Sequence, residues 1–244
     1  MRHTGAMPAH RTARARARAA ITGEIMDEAR RQLAAEGAAA LSLRSIAREL
    51  GMVSSAIYRY VDSRDDLLTR LIVESYNSLG DATEAAVAAS ADRAGADRWV
   101  AAATAIRDWA LARPHEYMLL YGTPVPGYAA PDDTVAPGTR VTLALLSIVR
   151  DESSAHRMSS PAITVDAPPQ LASDLRRLGD IVDLDVTPSV LVAVLAAWTQ
   201  LFGLLSFELS NQTRGVVEDH AALFEATTRL GARSIGLTDR STAA

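Results

Sequence analysis

Residues 42–66 read SLRSIARELGMVSSAIYRYVDSRDD and hold the most informative pattern in the chain. Apolar residues recur there at i, i+3, i+4 and i+7, which predicts one stripe of an amphipathic helix. Ser42 stands where a hydroxyl can cap the first turn, and Gly51 stands where a helix can end in the left-handed conformation that glycine adopts easily. The stripe consists of Leu43, Ile46, Ala47 and Leu50.

A second short helix of about two turns is predicted over residues 54–60. Ile57 and Val61 can anchor it in a core. Ser63, followed by Asp66, predicts the capped start of a third helix. The positions that are left to face outward are Ser54, Ser55, Tyr58 and Tyr60.

Two short helices joined at a sharp turn are the sequence form of a helix-turn-helix, whose second helix lies in the DNA major groove. Small hydroxyl residues at the start of that helix can approach base edges, and tyrosine hydroxyls can bond to phosphate oxygens. A helical hairpin inside an ordinary α-helical bundle is the alternative for the first stripe alone. The whole block favours the helix-turn-helix.

Three runs and their spacing resemble the DNA-binding domain of tetracycline-repressor-type (TetR) transcriptional regulators over residues 20–72. The runs are Leu-Arg-x-Ile-Ala-x-x-Leu-Gly, Ala-Ile-Tyr-Arg-Tyr-Val and Ser-Arg-x-x-Leu-Leu. The contacts that this resemblance implies are Ser54 and Ser55 at the bases, Tyr58 and Tyr60 against the backbone, and Arg44 and Arg64 at phosphates.

One position departs from the family pattern. Val53 stands where most members have the Ser or Thr that caps the recognition helix. We expect Ser54 to cap instead. Ser55 then becomes the better candidate for base contact.

Residue types argue against catalysis. The 244 residues include no cysteine, which excludes a disulfide framework and a thiolate metal site and fits a reducing cytoplasm. The five histidines show no metal-binding spacing, and there is no nucleophile elbow, phosphate-binding glycine loop or dinucleotide fingerprint. We therefore expect a cytoplasmic protein that is not an enzyme and uses no cofactor or metal. A helical small-molecule-binding or scaffold protein without DNA binding, and an α-helical enzyme, stay open as alternatives.

Charge is distributed unevenly along the chain. Residues 1–70 carry 12 arginines and eight acidic residues, a net charge of +4. Residues 71–244 carry 13 arginines and 21 acidic residues, a net charge of −8. A basic head on an acidic body suits a polyanion bound at one end. Residues 1–19, with five arginines and no acidic residue, are predicted to be a disordered Arg-rich arm. That arm has three interpretations: a solvated tail, an arm on DNA phosphates or in the minor groove, and a mitochondrial-type presequence.

Beyond residue 66 the pattern predicts helix after helix, broken by Pro and Gly. The Pro-rich segment 122–137 predicts a loop. The fold class is therefore all-α, with an N-terminal three-helix helix-turn-helix DNA-binding domain (20–66) and a C-terminal helical ligand-binding and dimerisation domain (67–240). The predicted helices of the second domain cover residues 64–90, 97–113, 115–121, 138–155, 170–183, 186–207 and 215–236.

Residues 186–207 contain no charged side chain and are long enough to cross a bilayer. Acidic flanks and internal polar residues argue against a membrane span. A helix that is apolar on all sides also suits burial both in its own core and against a partner subunit. The last two long helices of two subunits can form a four-helix bundle, and the resemblance implies such a homodimer.

A two-turn recognition helix reaches only a few base pairs, each worth roughly 1–3 kcal/mol, while a genome offers millions of competing sites. Two such helices related by a dyad can supply the discrimination that one cannot. The expected target is therefore an inverted-repeat operator in double-stranded DNA.

Aromatic residues are scarce, at 5%, yet five of them fall within 30 residues of the middle region. They predict an apolar small-molecule pocket beside the Pro-rich loop, although each could instead be plain core. The polar groups nearby are Arg107, Asp108 and His115. The predicted ligand-binding residues are Trp99, Ile106, Trp109, Tyr117, Tyr121, Tyr128, Trp198 and Phe202.

The second half resembles a TetR ligand-domain subtype marked by Trp and a downstream His-Gly (WHG). Here Trp198 precedes Phe202-Gly203, so Phe202 replaces the His and makes the pocket more apolar. In the family, an effector in a central pocket shifts the spacing of two DNA heads. The resemblance thus implies a repressor that an apolar small-molecule effector releases from DNA.

Overall fold

The computed structural model describes residues 9–161 and 164–239, and within those ranges every regular element is helical. The predicted all-α class is confirmed. Short 3₁₀ turns occur at Ala38–Ala40, Ile57–Arg59 and Asp132–Thr134. The α-helices are α1 (Ala9–Glu36), α2 (Leu43–Glu49), α3 (Arg64–Ala89), α4 (Gly95–Ala112), α5 (Pro114–Tyr121), α6 (Val135–Ser154), α7 (Pro169–Val182), α8 (Pro188–Leu209) and α9 (His220–Ile235).

Local signals set the ends of the short helices in the first part of the chain. The Ser42 hydroxyl accepts a hydrogen bond from the Ser45 backbone N–H at 3.4 Å and starts α2. Gly51 follows α2 with a φ of 65°, in the left-handed region. The Ser63 hydroxyl accepts from the Asp66 backbone N–H at 3.0 Å and starts α3. All three predictions made from these positions are confirmed.

Buried apolar side chains form two clusters, which we call the head core and the body core. The head core lies between α1, α2, residues 57–61 and the start of α3, ending at Leu71. Ile57 and Val61 are fully buried in it, as predicted. The body core joins α4, α6, α8 and α9 and begins on α3 at Leu79. The long helix α3 therefore belongs to both cores.

The segment predicted as a two-turn recognition helix, residues 54–60, is shorter and tighter than expected. The Arg59 N–H bonds to the Ala56 carbonyl at 3.1 Å and the Tyr60 N–H bonds to the Ile57 carbonyl at 2.9 Å, which is 3₁₀ spacing. The Ala56 N–H bonds to the Val53 carbonyl at 2.7 Å, so the same three-residue spacing begins before the turn. We call residues 53–60 the recognition segment.

The predicted disorder of the Arg-rich arm is wrong for residues 9–19, which form the first turns of α1. Alanine and arginine are both good helix formers, and no Gly or Pro falls between Pro8 and Gly23. The rest of α1 supplies a nucleus, so each added residue extends an existing helix. Residues 1–8 lie outside the described part of the chain.

α8 is long and apolar enough, by length and composition, to cross a membrane, and 39% of its most apolar window is buried. One side of α8 packs into the body core and against α9. The other side is uncovered. We call this surface the α8–α9 face; its exposed residues are Leu195, Thr199, Gly203 and Phe207 on α8, with Ala222, Ala226 and Leu230 on α9.

Candidate nucleic-acid interface and effector site

The start of the recognition segment presents two small hydroxyl side chains to solvent. Ser54 and Ser55 are both exposed, and neither hydroxyl is bonded to another group in the part of the chain that the structure describes. The first amide of the turn, Ala56 N–H, bonds to the Val53 carbonyl at 2.7 Å. Ser54 therefore does not cap the segment, contrary to our expectation, because the backbone already supplies the acceptor. Both hydroxyls are available to base edges.

The two predicted tyrosines occupy different environments. Tyr58 is 48% exposed, although large apolar rings are usually buried, and its hydroxyl can reach a phosphate. Tyr60 is half-buried, and the Arg18 guanidinium of α1 lies 5.5 Å from the centroid of its ring. That cation–π contact connects the first helix to the end of the recognition segment.

The two predicted phosphate-binding arginines also differ. Arg44 is exposed on the first turn of α2. Arg64 is half-buried, and its guanidinium donates to the carbonyls of Ala38 at 2.9 Å and Leu41 at 3.3 Å. Arg64 therefore stabilises the connection between α1 and α2. Its predicted phosphate contact would require those bonds to be given up.

Sequence reasoning missed two residues of this surface. Val53 is 74% exposed at the start of the segment, where its methyl groups can contact a thymine methyl. Arg59 is exposed between the two tyrosines and can bond to guanine or to phosphate. The sequence marks Val53 only as a departure from the family's helix cap, and Arg59 only as part of the family motif. Both residues could have been predicted from their positions, because they lie close to Ile57, the residue predicted to anchor the segment in the core.

In the body, four of the predicted ligand-binding residues meet in one aromatic cluster. The Tyr121 and Phe202 ring centroids are 4.3 Å apart, and those of Tyr117 and Tyr121 are 5.2 Å apart. The Trp198 and Phe202 rings follow at 5.5 Å. A fifth ring, Tyr76 of α3, stands edge-on to Tyr121 at 6.2 Å. Tyr76 was missed because it lies beside the apolar stripe of α3.

The polar atoms of this aromatic cluster are unevenly satisfied. The Tyr117 hydroxyl donates to the Phe202 carbonyl at 2.9 Å and lies 3.0 Å from the Ser206 hydroxyl. The Trp198 Nε1 is buried without a hydrogen-bond partner among the described residues. Burial raises the pKa of the Tyr121 hydroxyl, and Tyr76 and Tyr117 raise it further, so this group stays a neutral donor at physiological pH.

Comparison with known proteins gives matches over both parts of the chain. A family model described as bacterial regulatory proteins, tetR family, matches residues 25–71, and one described as tetracyclin repressor-like, C-terminal domain, matches residues 99–230. The HTH-type transcriptional regulator Mb1846 of Mycobacterium bovis is 39% identical over 221 residues, which is 88% of this chain and 92% of that protein. The HTH-type transcriptional regulator Rv1816 of Mycobacterium tuberculosis gives the same values.

The chain belongs to the TetR family of transcriptional regulators. The predicted DNA-binding regulator is thereby confirmed, and the enzyme alternative is set aside.

Solved structures agree with this TetR-family fold. The regulatory protein SCO4313 is 36% identical and superposes with a TM-score of 0.72, covering 92% of this chain and 98% of that one. The TetR-family regulator PfmR from Thermus thermophilus superposes with a TM-score of 0.56 at 17% identity, covering 86% of this chain and 97% of PfmR, and shares the fold alone. The resemblance to the WHG subtype stays a prediction.

The other predicted ligand-binding residues of this TetR-family chain lie outside the aromatic cluster. Trp99 and Ile106 are fully buried in the body core. The Trp109 indole N–H donates to the Ser78 hydroxyl at 3.0 Å. Arg107 is one of the predicted polar contacts for a ligand. Its Nε and Nη2 atoms instead donate hydrogen bonds to the Glu208 carboxylate of α8.

Tyr128 and the Pro-rich loop lie against the DNA head of the TetR fold. The Tyr128 hydroxyl is 2.9 Å from the Thr69 hydroxyl of α3, and Val125 and Leu119 pack on the head core. A cleft of about 340 Å³ separates this loop and α5 from the end of α1. We predicted a body pocket beside this loop, but the loop packs against the head instead and connects it to the body.

Proposed function

We propose that this TetR-family regulator represses transcription by binding an inverted-repeat operator as a homodimer, and that an apolar small-molecule effector releases it. The observation that carries the proposal is the recognition segment, which is anchored by buried Ile57 and exposes Ser54, Ser55 and Tyr58. Hydroxyl and phenol groups on such a rigid anchor suit base edges and phosphates. A DNA-bound repressor acts in the cytoplasm.

The α8–α9 face supports the homodimer. Leu195, Phe207 and Leu230 are 40%, 56% and 64% exposed, which is unusual for large apolar side chains that share one surface. Gly203 lies among them, and a Cβ built on it meets nothing within 4 Å. Small residues let two helices approach closely, and a second copy of the same face supplies a self-complementary partner.

The separate cores support the proposed division of labour. Residues 20–66 bind DNA, and residues 67–240 hold the effector and form the dimer. The head core ends on α3 at Leu71 and the body core begins on α3 at Leu79, so one helix connects two packed units.

Base reading and phosphate binding predict different mutant behaviour. Ser55→Ala is expected to weaken binding to the operator about 5- to 150-fold, the equivalent of roughly 1–3 kcal/mol for a lost base contact, and to leave binding to scrambled duplex unchanged. Tyr58→Ala is expected to weaken binding to both duplexes. Fluorescence anisotropy titrations on the two duplexes measure the difference.

Ser173→Ala is the matched control for Ser55→Ala, because Ser173 is an exposed serine on α7 of the body. It should bind both duplexes like the wild type. Equal losses on operator and scrambled DNA for Ser55→Ala and Tyr58→Ala would contradict the assignment of base reading to Ser55.

The aromatic cluster of Tyr76, Tyr117, Tyr121, Trp198 and Phe202 supports an effector site of defined chemistry. Its rings favour an apolar, ring-containing molecule. A buried N–H without a partner costs about 1–3 kcal/mol, which an acceptor atom on the ligand can recover at Trp198. We therefore infer an apolar effector that carries one hydrogen-bond acceptor.

Two helices connect this cluster to the DNA head. α3 carries Tyr76 in the cluster and Leu71 in the head core. α5 carries Tyr117 and Tyr121 in the cluster and Leu119 against the head core. A ligand that separates Tyr121 from Phe202 must move α5 or α8. It releases DNA to the extent that it prefers the displaced arrangement, with coupling of about 1–3 kcal/mol.

Trp198→Phe tests the effector site. Compounds with one ring system and one acceptor are screened by thermal shift, and those that release the operator in gel-shift titration are kept. Their affinity should fall about 5- to 10-fold in Trp198→Phe, since one hydrogen bond contributes about 1 kcal/mol. Trp109→Phe is the control, because its N–H already bonds to Ser78 outside the cluster. Equal losses in both variants would argue against the site.

A further inference from the structure

The N-terminal part of α1 carries arginines that the proposed operator contacts do not use. Every described side chain from 13 to 20 is exposed, and the first fully buried side chain of α1 is Ile25. We call residues 13–20 the basic extension. It contains Arg14, Arg16 and Arg18 and no acidic residue. At 1.5 Å per residue, the helix rises about 10 Å from Ile21, which packs against the head core, to Arg14.

The contact between Arg18 and Tyr60 shows which side of the basic extension adjoins the recognition segment. The Arg18 guanidinium lies 5.5 Å from the Tyr60 ring centroid, directly after the 3₁₀ turn. Residues four apart share a face of a helix, whereas residues two apart lie on nearly opposite sides. Arg14 therefore lies on the Arg18 side of α1, and Arg16 lies on the other. Only the Arg14–Arg18 side is continuous with the recognition segment.

We propose that the Arg14–Arg18 side of α1 binds the phosphate backbone of duplex DNA beside each operator half-site. This inference rests on the proposed function, because it uses the same DNA and the same dimer. Duplex DNA carries one charge per about 1.7 Å, and guanidinium groups match phosphate oxygens in geometry and charge. Phosphate contacts carry no sequence information, so this surface raises affinity for all duplexes and lengthens the protected footprint.

The salt dependence of binding tests the proposal. Arg14→Ala is the main variant, because it leaves the Arg18–Tyr60 contact in place and alanine preserves the helix. A dimer carries two copies, so the slope of log K against log salt should become shallower by about 1.8, at about 0.9 for each lost phosphate contact. Anisotropy titrations over a range of salt use the full chain, an operator selected from a random duplex pool, and a scrambled duplex of equal length.

Arg16→Ala is the matched control. It removes the same charge from the same helix, but from the side opposite Arg14 and Arg18. Arg16→Ala should change the salt-dependence slope by less than half as much as Arg14→Ala does. Footprinting should show a shorter protected stretch of DNA for Arg14→Ala and not for Arg16→Ala. An unchanged slope in Arg14→Ala, or equal changes in the two variants, overturns this inference. If the wild-type protein still binds the operator in that case, the proposed function is unaffected. A wild-type protein that binds no duplex overturns both.

Discussion

Gly203→Arg should convert the protein into a monomer that binds its operator about a thousand-fold more weakly. Gly203 is exposed and a Cβ built on it meets nothing within 4 Å in one protomer, so a side chain can leave the backbone there. An isologous interface repeats each change in both copies, so two guanidinium groups would be forced into one apolar surface. Losing one half-site removes about 4 kcal/mol, at roughly 1–3 kcal/mol per base pair.

Sedimentation gives the oligomeric state in this experiment, and anisotropy gives the operator affinity. Gly23→Arg is the matched control, because Gly23 is also inside a helix with nothing within 4 Å of its added Cβ, but lies on α1. That variant should remain a dimer. A Gly203→Arg protein that stays dimeric and binds like the wild type would show that the α8–α9 face is not the interface.

Ile57→Ala is expected to abolish DNA binding and to spare the dimer. Ile57 is fully buried in the head core, and truncation of such a side chain costs about 2–5 kcal/mol. That is a large fraction of the 5–15 kcal/mol that stabilises a typical domain. The same change frees the segment that holds Ser54, Ser55 and Tyr58 in place. Operator and scrambled DNA should both be lost, by more than about 100-fold.

Sedimentation of Ile57→Ala should still show a dimer, since the α8–α9 face belongs to the body. Ile181→Ala is the control, because Ile181 is 75% exposed on α7 and surface truncations change stability by less than about 0.5 kcal/mol. If Ile57→Ala bound operator with wild-type affinity, the recognition segment could not be the DNA-reading element.

Local physics explains which features the sequence predicted well. The caps at Ser42 and Ser63 and the turn at Gly51 depend on neighbouring residues alone, and all were predicted from them. The recognition segment lies at the predicted residues, but its hydrogen bonds follow 3₁₀ rather than α-helical spacing, a difference that the apolar pattern does not encode. Ile57 and Val61 were recognised as anchors because their burial follows from the pattern.

Long-range contacts explain what the sequence did not predict. Arg64 bonds to the carbonyls of Ala38 and Leu41, and Arg107 bonds to Glu208, across separations that no local pattern reveals. Tyr128 was grouped with the body aromatics because it is near them in the sequence, yet the loop turns towards Thr69 of the head. The concentration of aromatic residues in the middle of the sequence predicted that several of them would contact one another in the body. Only the packing of α3, α5 and α8 decides which ones do.

We expect two copies of the recognition segment to read one duplex across a dyad. Selection of duplexes from a random pool by the wild-type protein and by Ser55→Asn tests it most directly. An inverted repeat is expected for the wild type. For Ser55→Asn, a shift towards adenine is expected at the same two symmetric positions, since asparagine pairs with adenine in the major groove. A selected motif without two-fold symmetry, or one that Ser55→Asn leaves unchanged, would contradict it.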